Sequence, residues 1–158
     1  MSIDLAAVMD ALASGATSAA GLERGYGWPV DTVSPPAVVV GYPEEFEYDQ
    51  TFGNTTDRAT FPVWVVVGRV STRAARDAIG SFVPGGGGGL VTESGDTLLT
   101  EDGDTLIGEA ESSAIKAHLD GNLGGKCDSA NVARSAIEAV VIGGIDFLAA
   151  RYDVDVIG

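Results

Sequence analysis

Residues 61–70 are apolar on both sides of an extended backbone: Val63, Val65 and Val67 point one way, Trp64, Val66 and Val70 the other. A strand that is greasy on both faces needs neighbours on both flanks and packing above and below. The segment therefore predicts the central strand of a covered sheet. Pro62 lacks an amide hydrogen and fits such a strand only near its start.

The surrounding sequence supplies the partners. Residues 37–41 are a short apolar strand closed by Gly41-Tyr42-Pro43. Residues 44–52 alternate, with Phe46, Tyr48 and Phe52 on one face and Glu45, Glu47 and Asp49 on the other, which reads as a half-exposed strand with an acidic outer side. After the central strand, Ser71 or Thr72 caps a helix reaching Phe82, with Ala74, Ala75, Ala78, Ile79 and Phe82 as its buried stripe. An earlier helix is expected over 3–13, capped by Ser2, with Asp4 in its first turn and Gly15 as its stop. Residues 16–36 read as a long ordered loop in which Tyr26 and Trp28 form a lid over the core, or else meet a partner.

Toward the end, Ser112 or Ser113 caps a short helix over 114–120. Two strands, 132–142 and 145–157, are joined by Gly143-Gly144, a tight hairpin signal. In the last strand the apolar residues change phase, from odd positions (Ile145, Phe147) to even ones (Tyr152, Val154, Val156). A bulge near 149–151 would produce that change, and so would a strand covered on both faces. The sum is an α+β fold with helices packed on a mainly antiparallel sheet.

Into this core, residues 1–83 and 112–158, the segment 84–111 is spliced. Five glycines, Gly85 to Gly89, lead into two near-copies of an eight-residue unit, LVTESGDT and LLTEDGDT, with Leu106-Ile107 opening a third. An even period keeps each side chain on one face of an extended chain, so Leu90, Val91, Leu98, Leu99, Leu106 and Ile107 are candidates for a β-arm reaching a neighbouring subunit. Two copies fall short of the three that usually make a self-standing stack. The Gly-Asp-Thr phrase is similar to calcium-binding β-rolls, but their unit is nine residues long and richer in glycine.

With 158 residues, 45% of them apolar, the chain suits one domain with a real core. Its formal charge of −14 disfavours nucleic acid as a specifically bound partner. Half of that charge sits in 84–111, where seven acids stand without a base. The amino terminus lacks a secretory signal and no apolar run is long enough to span a membrane, so synthesis and folding in a cytoplasm are expected.

Catalytic equipment is sparse. Gly124-Gly125-Lys126-Cys127 fails the phosphate-loop pattern, which wants Gly where Asp120 stands and Ser or Thr where Cys127 stands. His118 is the only histidine, and a zinc site needs further His or Cys ligands. Cys127 reads as a small buried hydrophobe. No catalytic, cofactor or metal residue is assigned. The local anomaly lies elsewhere: Arg73 and Arg76 fall in the first turn of a helix, where the helix dipole disfavours cations. They either serve a contact with another molecule or stand in water at a cost of some tenths of a kcal/mol.

Ser71-Thr72-Arg73-Ala74-Ala75-Arg76-Asp77-Ala78 directly after the strand, Ala114-Ile115-Lys116-Ala117-His118-Leu119 with Leu123-Gly124-Gly125, and the closing hairpin through Tyr152-Asp153-Val154-Asp155-Val156 resemble the tail terminator proteins of long-tailed bacteriophages, those of actinobacteria in particular. The resemblance spans most of the chain except 84–111. It implies a non-enzymatic virion component that forms a hexameric ring on the tail tube. Such a ring ends tube polymerisation and offers the docking surface for the head-neck connector. It also implies assembly in the host cytoplasm, DNA passing through an acidic bore without specific binding, no cofactor, and no membrane partner. A closed ring needs a head-to-tail interface built from two different sides of one subunit. The candidates are Glu45, Glu47 and Asp49 against Arg73 and Arg76. The alternatives are a head-tail neck adaptor or another tail-tube protein and, outside the virion, a monomeric binding module or a small enzyme.

Overall fold

A computed structural model describes residues 3–20, 22–48, 56–79, 82, 115, 116 and 118–158. Along the chain lie α1 (Leu5–Ala19), β1 (Gly25–Tyr26), β2 (Ala37–Val40), β3 (Glu45–Glu47), β4 (Arg58–Arg69), α2 (Arg73–Ile79), β5 (Ser129–Ile142) and β6 (Ile145–Ile157). Ile115, Lys116, His118 and Leu119 are also helical. The strands form one mixed sheet in the order β1-β2-β4-β6-β5, with β3 also on β4. Only β1 on β2 runs parallel. The fold is α+β. The repeat segment, with its candidate arm residues, lies outside the described residues, as does Asp49.

The doubly apolar segment is central, flanked by β6 on one side and by β2 and β3 in succession on the other. Pro62 is deep inside β4 and not near its start. Its carbonyl accepts from the Gly41 amide at 2.8 Å, so its nitrogen faces the same side, where β2 has ended and β3 has not begun. The missing donor falls at this break in the pairing, where the flank is a local sheet edge.

Helix α1 outruns its expected stop. Asp4, not Ser2, is the cap, its carboxylate accepting from the Ala7 amide at 3.1 Å. Gly15 lies inside the helix because the buried stripe Val8, Met9, Leu12 and Ala13 continues to Ala16. At Gly15 a Cβ would stand 3.4 Å from the His118 carbonyl oxygen, an ordinary contact distance, so α1 runs close beside that turn. The expected loop likewise contains structure: its start is helix and Gly25–Tyr26 is a strand. Tyr26 packs on the core, but Trp28 is 55% exposed and meets Tyr26 edge-on.

The phase change in β6 comes from burial on both faces. Among β6 residues, Ala150, Tyr152, Val154 and Val156 face α1 with Phe61, Val63 and Val65 of β4. Phe147 and Ala149 face the other way, into a second cluster with Val33, Ala37, Val39, Val66 and Ile142. No bulge occurs at 149–151. The irregularities are on the partners, beside Val67 of β4 and Ala133 of β5. Gly143 and Gly144 make the hairpin turn with φ of 58° and 79°, the left-handed pair that matches strand twist.

Helix α2 touches the sheet along a narrow line. Ala75 and Ile79 are buried, whereas Ala74 and Ala78, expected inside, are exposed. Gly68 sets this geometry, since a Cβ there would lie 3.0 Å from that of Ala75. A seven-residue helix held this close rests on one side only and leaves the remaining side chains outward.

Candidate subunit interface

The two proposed halves of an interface sit at opposite ends of β4. Strand β3 pairs with its first residues, Glu45 opposite Thr60 and Glu47 opposite Arg58, while α2 begins four residues after Arg69. Twelve residues of strand separate the ends by about 35 Å at ~3.3 Å per residue. Glu45 and Arg58–Glu47 therefore mark one side of the molecule, Arg73 and Arg76 another.

At the α2 end both arginines reach one carboxylate. Arg73 lies 3.8 Å and Arg76 3.0 Å from Asp77. Their side chains are 85% and 69% exposed, so these pairs contribute little to stability, about 0–1 kcal/mol. Two cations sharing one anion give this corner a positive excess among the described residues. Beside them, Val70, Ser71 and Thr72 complete an open depression of about 440 Å³. A second, of about 430 Å³, runs from Val70 and Ser71 to Gly144, Ile145 and Asp146.

At the β3 end the acidic face is less uniformly negative than the alternation suggested. Glu47 lies 3.6 Å from Arg58, which also bonds Asp155, and Glu44 accepts from Arg151 at 2.5 Å. The hydrogen bond and charge of Asp155, helped by Glu47 and Glu45, hold the Arg58 guanidinium above its usual pKa. Phe46 turns inward, whereas Tyr48 is 72% exposed and packs against Phe46 with the ring centroids 4.6 Å apart and the planes tilted by 51°.

Behind β3 runs a charged ladder on the outer sheet face. Arg151 is its hub: it donates to Asp153 at 2.6 Å and to Glu44, approaches Glu138 at 3.8 Å, and lies over the Trp64 ring at 5.8 Å. Trp64 donates its indole hydrogen to Glu138 at 2.5 Å. Arg134 meets the other Asp153 oxygen at 3.2 Å, and Thr60 donates to Asp155 at 2.7 Å. Burial works against the charge of Arg151, but the bonds to Asp153 and Glu44 outweigh it and raise its pKa. Sequence reasoning followed the even residues of β6 and passed over the odd ones. Arg151, Asp153 and Asp155 at every second position were the available signal.

Among the described residues no group of three or more His, Cys, Asp or Glu could hold a metal ion, and no helix is long and apolar enough to cross a membrane. Cys127 is buried, and burial, with Asp128 nearby, pushes its thiol pKa up, away from the reactive thiolate. His118 lies on the helical turn beside Leu119, which is fully buried. No protein-family model matches the chain, and no curated protein matches it either.

Proposed function

We propose that this chain is a structural subunit of a long-tailed bacteriophage. In this reading, copies close head-to-tail into a hexameric ring on the tail tube, end tube polymerisation and dock the head-neck connector. The observation that carries the reading is the placement of two dissimilar charged patches toward opposite ends of β4. An acidic strand lies at one end of β4 and an arginine-bearing helix at the other. A ring interface requires this dissimilarity, because each subunit presents one side to the neighbour before it and a different side to the neighbour after it. The resemblance of its motifs to those of tail terminators gives the reading its biological setting.

The role of the chain is then one of shape and charge. Arg73 and Arg76, anchored by Asp77 but largely in water, meet the Glu45–Glu47 strand of the next subunit. Surplus negative charge facing the bore repels DNA and leaves it free to slide.

The experiment is a tube-length assay with the cognate tail-tube protein. Added chain should halt growth at a fixed length, and Arg73→Glu with Arg76→Glu should abolish the effect while circular dichroism stays unchanged. Tubes that grow on regardless of the wild-type chain would remove the terminator role. Unaltered termination by the double variant would remove these arginines from the interface.

A further inference from the structure

Strand β5 closes one side of the sheet, and the chain treats the two halves of its free edge differently. In the first half, Ala130 exchanges backbone hydrogen bonds with Gly121, and the Val132 amide donates to the Asp120 carboxylate at 2.7 Å. The bulge at Ala133 follows. Bonding, a charge and a bulge are the usual means of closing an edge to other chains.

Beyond the bulge the edge is bare among the described residues. Because Ala130 and Val132 turn outward, the odd residues of β6 bond to β5 and the even ones to β4. The β5 residues opposite even positions are Ser135, Ile137, Ala139 and Val141, so their amides and carbonyls point away from the sheet. Among the described residues none pairs with them. The same residues expose apolar side chains, with Ile137 at 49% and Val141 at 64%. The one charge within the stretch, Glu138, is on the other face and already engaged by Trp64 and Arg151; Arg134 before it is held by Asp153, and Asp146 stands beside Val141 on the neighbouring strand. This stretch has neither lysine nor proline to repel a visiting strand.

We infer that residues 135–141 of β5 form a docking edge for the same strand of a second copy, paired antiparallel about a two-fold axis at Ala139. Register selects the occupant. Centred on Ala139, Ile137 stands opposite Val141 of the other copy, twice by symmetry, and Glu138 stands opposite Val140. Centring on Glu138 would set two like charges face to face, which is unfavourable. Centring on Val140 would move Ile137 past the strand end onto Gly143. Centring on Ile137 would leave Val141 opposite Ala133 at the bulge. Of these registers, the one on Ala139 pairs both exposed apolar residues and keeps the carboxylates apart, and the strand is thereby complementary to itself. A two-fold contact closes at two copies. It therefore stands apart from the proposed head-to-tail ring, and either can fail alone.

The test is cysteine cross-linking of the free chain with sizing by native mass spectrometry. In this pairing the two Ala139 Cα atoms sit about 5.5 Å apart, within disulfide reach. Ala139→Cys should give a covalent dimer of twice the 16.1 kDa chain, and Ala133→Cys should give none; native Cys127 is buried and silent. Cross-links between Ile137→Cys and Val141→Cys should form only when the two variants are mixed. Ile137→Lys with Val141→Lys, both on exposed positions, should lose the dimer mass with the fold intact. The dimer fraction should rise with salt, since each copy carries −14 and the screening length falls from about 8 Å at 0.15 M to about 3 Å at 1 M. A chain that stays monomeric throughout, or a dimer in which Ala139→Cys fails to cross-link, would overturn the inference. A six-copy mass without the Ala139→Cys cross-link would support the ring and reject this pair.

Discussion

Removing one oxygen from Tyr152 separates two contributions to stability. The side chain is fully buried on the α1 face of β6, between Val63 of β4 and Ser135 of β5, and its hydroxyl donates to the Phe82 carbonyl. Tyr152→Phe leaves the ring in place and strands that carbonyl in an apolar setting, at a cost of about 1–3 kcal/mol. For a chain of this size that lowers Tm by roughly 2–4 °C per kcal/mol.

The pH dependence follows from the same burial, which pushes the phenol well above its ordinary pKa. In the unfolded chain Tyr152 loses its proton near pH 10, whereas in the folded chain it keeps it. The unfolded state thus binds fewer protons above pH 10, and the group's contribution falls by about 1.4 kcal/mol per pH unit there. Below pH 10 the contribution is fully present. Denaturant melts of both proteins at pH 7 and at steps from pH 9.5 to 11 measure it. The wild-type advantage should be constant to pH 10 and then shrink. Equal stabilities at pH 7, or curves that stay parallel to pH 11, would refute the account of this site.

Three other changes test the packing and the ladder. Gly68→Val should drive a branched side chain into Ala75 and lift α2, costing about 1–3 kcal/mol in a thermal melt. Arg151→Met should leave Glu138 without its cation and Asp153 with Arg134 alone. The loss in the same melt should approach about 2 kcal/mol, below the roughly 3–5 of a fully buried pair because Glu44 is in water. Gly143→Val places a β-branched residue at a φ of 58° and against the Asp31 carbonyl; the hairpin should open, read as faster amide exchange at Ile142 and Ile145.

The central strand, the closing hairpin and the α+β class were legible because each rests on a pattern that a single burial rule produces. Residues 61–66 are interior or half-buried as their pattern requires, although Arg69 and Val70 stand exposed where the strand ends, and a Gly-Gly pair between apolar runs has few alternatives to a hairpin. Errors arose where distant packing decides. Gly15 stops a helix by local rules, yet here the buried stripe carries the helix past it to Ala19, beside the turn that holds His118, more than a hundred residues away. Ala74 and Ala78 fit a helical stripe that the close approach at Gly68 leaves stranded in water. Of the interface, Arg73 and Arg76 were found by a broken local rule that the structure keeps for Arg73 alone: α2 is only seven residues long, so Arg76 falls in its last turn, where the dipole favours a cation; both do stand exposed. The neutralising partners of the acidic strand, Arg58 and Arg151, come from β4 and β6 and could be placed beside it only by the register of the sheet. The bare half of β5 was invisible for the same reason, since an edge is defined by what does not pair with it.

The central claim, that copies of this chain close on one another through two unlike faces, is tested most directly by counting subunits at a tube end. Native mass spectrometry or single-particle imaging of the chain bound to tail tubes should find six copies in a closed ring, with the α2 arginines of each against β3 of the next. A single copy per tube end, or an open chain of variable length, would contradict it.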